Sequence, residues 1–189
     1  ESPLYTSISR MAWVHNLRIA IFLWAIIVMG MIAWLTYRMA CTGVLSEKKR
    51  KTFIAWQWLS ILLVFIGCLL FPAKQSADSI CFVNYIHDYL TAIAWTMYVI
   101  GLVVYSFSTR KKDAFLGMLG LGLMGFIVFS SLFFLMRVVD PQSYVGASAV
   151  SEVYIINNLL IYLVVMYVAQ KHMNEKNDLT SSSAPRKWL

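Results

Sequence analysis

The side chains best suited to chemistry in this chain are Arg10, His15, Arg18, His87, Asp88, Arg137, Asp140 and Glu152. Most stand within about a turn of the end of an apolar stretch, and ionisable groups next to hydrocarbon are costly and therefore informative. His15 and His87 are compatible in type and depth with a two-helix site for haem or quinone. Neither belongs to a helix carrying a second histidine, as b-type haem anchors often do, and His172 falls at the other end of the chain's last apolar stretch. A zinc hydrolase built on His15, His87 and Asp88 would have a minimal ligand set without HExxH-type spacing. No metal site and no catalytic set is therefore assigned. The simpler reading of Asp88 and Glu152 is local, since an acid at a helix N-terminus suits the positive end of the dipole. The alternative is a polar site of Arg10, His15, His87, Asp88, Arg137, Asp140 and Glu152, recognising a lipid headgroup or a partner.

A second group lies deeper. Gln57, Asn157 and Asn158 sit within apolar runs, as do Ser60, Thr91, Thr96, Ser130 and Ser131. Adjacent asparagines point about 100° apart on a helix, so at least one should meet another helix. Interhelical hydrogen bonds in lipid are worth about 0.6–2 kcal/mol, which makes structural glue the first reading. A small channel or transporter lined by Gln57, Asn157 and Asn158 is the alternative. No lysine falls within an apolar run, against a retinal Schiff base, and no mid-run acid offers a proton relay.

These residues must be positioned by five apolar stretches, Leu17–Tyr37, Phe53–Phe71, Tyr89–Phe107, Ala114–Met136 and Val153–Ala169. About 20 helical residues cross the ~30 Å hydrocarbon core. Charged residues make up 13% of the 189, where soluble domains carry about 25%. The expected fold is an all-α, polytopic transmembrane bundle of five spans over 1–170, with a polar tail over 171–189.

Net charge is +7, and its distribution excludes a nucleic-acid reading. Twelve of the 16 basic residues fall in Arg38–Lys51, Arg110–Lys112 and the tail, with no aromatic interleaving. The positive-inside rule makes that side cytoplasmic, the N-terminus outside and the C-terminus inside. A plasma or inner membrane is favoured over an organelle. Cys41, Cys68 and Cys81 lie at three depths, too far apart for a disulfide. An outside N-terminus beginning at Glu1 without an apolar leader points to processing, truncation or renumbering, with a cleaved signal peptide and a missing upstream helix as the alternatives.

Smaller features complete the pass. Tryptophans 13, 24, 34, 56, 58 and 95 are mostly near span ends, as an aromatic belt requires. Ile80–Tyr85 is expected to fold back as a short interfacial helix. Ser108–Asp113 is a tight turn, making the third and fourth spans antiparallel neighbours. Gly117, Gly120, Gly122 and Gly125 form a helix-packing face or lipid groove; spacing puts Gly117, Gly125 and loosely Gly122 together on an internal face. After Gln170 the chain turns polar and is expected to be mobile.

The segment SPLYTSIS before the first span, Phe71-Pro72 closing the second, Ile86-His87-Asp88 with Ala92 and Ala94 opening the third, and Ser151-Glu152 opening the last resemble a known pattern. It is that of the DRAM/FRAG-type membrane proteins and their bacterial relatives. The resemblance touches Ile8, Ser9, Phe71, Pro72 and His87, and it implies six helices and lipid-associated regulation without settled chemistry. Arg10, Met11 and Ala12 replace the acidic residue and glycine usual after the "IS" pair, and the family's first helix is absent. The expected role is a non-catalytic membrane protein binding lipid or partner subunits, as a homo-oligomer or within a complex. A haem or quinone anchor on His15 and His87 is its rival, and no cofactor is assigned.

Overall fold

The computed structural model describes residues 17–70, 82–139 and 149–182, and these form five α-helices without strands. They are α1 Arg18–Ala40, α2 Glu47–Leu70, α3 Phe82–Arg110, α4 Ala114–Val139 and α5 Ala149–Ser182. Four of them are long and apolar enough to cross a membrane: α1 over Ile19–Ala40, α3 over Tyr89–Arg110, α4 over Ala114–Leu132 and α5 over Glu152–Lys176. In α2 the first turns go to Glu47, Lys48, Lys49, Arg50 and Lys51, so its apolar stretch is shorter. Large apolar side chains face outward on every helix, among them Ile19, Trp58, Ile100, Phe115 and Val168. A surface with so much contiguous apolar area is one that hydrocarbon covers.

The helices pack in a ring. Each lies against its sequence neighbours, and α1 closes the circle against α5. Two short links fix one end. After Ala40 the chain turns through Cys41 and Thr42 to Gly43, whose φ of 84° favours glycine. Between α3 and α4, Asp113 caps the new helix by accepting from the Leu116 N–H at 2.7 Å. Lys112 Nζ donates to Gly43 O at 2.7 Å, and Asn174 Nδ2 donates to Thr42 O at 2.7 Å. Both links and the latter half of α5 therefore meet at one end of the ring, which carries the cationic clusters and is called the basic end below. Ring closure makes α1 and α5 adjacent, and because the helices alternate in direction and are odd in number these two run the same way.

The tight α3–α4 turn and the antiparallel pair it joins are as the spacing requires. Several boundaries differ from the hydropathy limits. Phe82–Tyr85 are the first turn of α3, not a separate fold-back helix; Ile80 and Cys81 lie outside the described residues. The polar stretch after Gln170 continues α5 to Ser182 instead of leaving the helix. Good helix formers, an exposed Lys171–Glu175 pair at 3.7 Å and the Asn174 tie to the first link account for that extension.

Candidate functional site

Tyrosine hydroxyls close the middle of the ring. Along α3, Ala94, Tyr98, Leu102 and Tyr105 recur at helical spacing on one buried face. Tyr98 reaches α1, its hydroxyl 2.6 Å from Thr36 Oγ1. Tyr162 of α5 reaches back to α3, its hydroxyl 2.7 Å from Ser106 Oγ. Nearer the basic end, the Tyr105 hydroxyl has Gln170 Oε1 at 2.6 Å and Met39 O at 2.9 Å, and Thr42 Oγ1 approaches the same two acceptors. Two hydroxyl donors thus share two acceptors, one on α1 and one on α5. Phe53 packs on Tyr105 with ring centroids 5.1 Å apart. Each phenol is held by partners inside the protein, as burial demands.

Two amide atoms in this column lack a partner, Gln57 Oε1 and Gln170 Nε2. Gln57 is wholly buried on α2, and its Nε2 donates to Tyr98 O at 3.2 Å. The site exists because Gly101 gives way: a methyl there would come within 2.7 Å of Gln57 Nε2.

The proposed outer polar site is represented among the described residues mainly by His87. Its ring is buried, and Nδ1 lies 3.0 Å from Gly67 O on α2. A carbonyl only accepts, so Nδ1 is the donor in this contact. Gly67 permits the approach, since a methyl there would press on Thr91 Cγ2 at 3.1 Å. Arg10, His15 and Asp140 lie outside the described residues, and of Asp88 and Arg137 only the helix positions are described. Asp88 stands beyond the first turn of α3, so the dipole reading of that acid fails, whereas Glu152 is in the first turn of α5 as expected.

The intramembrane amides do not converge. Asn158 donates to Ser130 Oγ of α4 at 3.1 Å, Asn157 points away from the bundle, and Gln57 meets α3. Trp95 is an internal tie, not part of a belt: its Nε1 donates to Ser131 Oγ at 2.7 Å and its ring stacks on Tyr98. The glycines divide. Gly117 and Gly120 face inward, the first against the Arg110 backbone and the second against Ser106 and Met166. Gly122 and Gly125 are exposed and open. The expected shared inner face of Gly117, Gly122 and Gly125 is thus corrected, because eight residues along a helix leave an offset of about 80°.

Sequence reasoning passed over Thr36, Thr42, Tyr98, Tyr105, Tyr162 and Gln170. The available signal was the repeat of tyrosine at seven residues in mid-span of α3. No family model, curated protein or solved structure matches this chain.

Proposed function

We propose that the chain is a non-catalytic integral membrane protein that crosses the bilayer five times, N-terminal end outside and basic end cytoplasmic. It binds lipid or partner subunits through its lateral surface, within a membrane complex. The observation that carries this reading is the plugged ring: Tyr98, Tyr105 and Tyr162 hydrogen-bond across its centre, so recognition falls to the outward faces. Gly122 and Gly125, set among exposed Met118, Phe126 and Phe129, offer such a face on α4. The separate directions of Gln57, Asn157 and Asn158 weigh against a conducting path lined by all three. A DRAM/FRAG-type ancestry belongs to the same proposal.

Native mass spectrometry of the detergent-purified chain tests it. Retained lipid, a homo-oligomer or co-purifying membrane subunits are expected; a monomer stripped of both lipid and partners refutes it. One observation favours a second reading, a haem or quinone anchor. His87 is buried with Nδ1 fixed to a carbonyl, the arrangement that presents Nε2 to a ligand. A Soret band lost in His87→Ala would establish the haem form, and a colourless preparation would remove it.

A further inference from the structure

The odd-numbered ring creates one junction between parallel helices, α1 and α5, and its outer surface has an ordered gradient. On α1, Ile27, Met31, Trp34 and Arg38 follow at spacings of four, three and four and are all exposed. On α5, Leu160, Val164, Tyr167 and Lys171 follow with the same spacings, half-buried or exposed. Such spacing keeps each set on one helix face. Because the helices are parallel, both stripes run from aliphatic through aromatic to cationic toward the basic end.

The two stripes meet at Arg38. Its Nη2 donates to the Tyr167 hydroxyl at 2.8 Å. Its guanidinium carbon lies 5.7 Å from the Trp34 ring centroid and 5.5 Å from that of Tyr167. The cation is thus held between two rings with no carboxylate on it among the described residues. Three acids have partners of their own: Glu47 pairs with Lys51, Asp113 caps its helix, and Glu175 lies 3.7 Å from Lys171 of the α5 stripe. A guanidinium has five N–H donors, and only one is committed here.

We propose that this α1–α5 groove binds an anionic phospholipid. Its phosphate accepts from the remaining Arg38 N–H groups and from the Lys171 N–H groups not turned to Glu175, and its acyl chains lie along Ile27, Met31 and Val164. Guanidinium favours phosphate because its planar fork donates in parallel, and Trp34 and Tyr167 sit at the headgroup level where amphipathic rings are stable. The inference rests on the membrane reading above and deepens it by naming a lipid class and its site.

The test is native mass spectrometry of the full chain in detergent, titrated with phosphatidylglycerol or with phosphatidylcholine of the same acyl chains. The wild type is expected to prefer phosphatidylglycerol about tenfold, equivalent to about 1.4 kcal/mol. Arg38→Gln, at an exposed position, brings the preference below about twofold, while Lys48→Gln, an exposed cation on another helix, leaves it intact. Arg38→Lys, which keeps the charge without the fork, retains part of it. Equal binding of the two lipids, a preference that survives Arg38→Gln, or equal losses in Arg38→Gln and Lys48→Gln overturns the proposal. So does displacement of the lipid by millimolar inorganic phosphate, which would mark a free-anion site. Lipid bound without headgroup preference sinks this inference alone; loss of all lipid and partners sinks the reading it rests on.

Discussion

The contact between Gln57 and Gly101 makes a sharp prediction about sign. A methyl added at Gly101 would meet three atoms of the Gln57 amide, Nε2 at 2.7 Å, Cδ at 2.9 Å and Oε1 at 3.1 Å. The amide is wholly buried, so it has no open space into which to swing, and overpacking of this kind costs about 1–3 kcal/mol. Against that stands the helix-propensity gain of alanine over glycine, about 1 kcal/mol. Gly101→Ala alone should therefore be neutral to destabilising by about 2 kcal/mol. Gln57→Ala removes the obstacle, and in that background Gly101→Ala should stabilise, by up to about 1 kcal/mol. The assay is reversible unfolding of all four proteins in mixed micelles on titration with sodium dodecyl sulfate, combined as a double-mutant cycle. A coupling of about 1–3 kcal/mol is expected, positive for the second substitution. Additive effects would show that the amide does not occupy the Gly101 notch and would refute the reasoning.

Three further outcomes follow from neighbouring features. Gly117→Ala drives a methyl into Arg110 Cα, a backbone atom that cannot rotate away, and should cost about 3 kcal/mol, whereas Gly125→Ala meets nothing and should be neutral in the same unfolding assay. Asn158→Ala should lose about 0.6–2 kcal/mol with its bond to Ser130, while Asn157→Ala, on the outward side, should not destabilise; equal losses would contradict the assigned facing. Cys41 is an exposed free thiol in the first link, so a membrane-impermeant maleimide should label it only from the cytoplasmic side, and labelling from outside would reverse the proposed orientation.

Much of this architecture is legible in the residues, for stated reasons. Apolar runs mark where helices must be, since lipid leaves the backbone no other hydrogen-bond partner. They do not mark where helices end. Glu47–Lys51 and Lys171–Lys176 are helical in water-facing territory, where hydropathy falls but helix propensity does not. The tight Arg110–Ala114 connection is legible because three residues allow only an antiparallel neighbour. The site is less so. Gly117 and Gly125 look equivalent by type, and which one faces inward depends on the angle at which α4 meets α3. The Tyr105–Gln170–Thr42 cluster joins α3, α5 and the first link, and no local pattern announces that α1 closes against α5. Arg38 reads as one cation among twelve until that closure puts Tyr167 beside it.

The length of α5 has a mechanical consequence. Its 34 residues make a rod of about 50 Å, while hydrocarbon accounts for only ~30 Å. The surplus extends past the links at the basic end, pinned by Gln170 and Asn174 to the chain at Thr42. A force applied to this stalk by a bound protein or a fused tag would therefore be delivered as torque to the root of α1. Traffic in the opposite direction uses the same linkage: tilting α1 swings the far tip of α5.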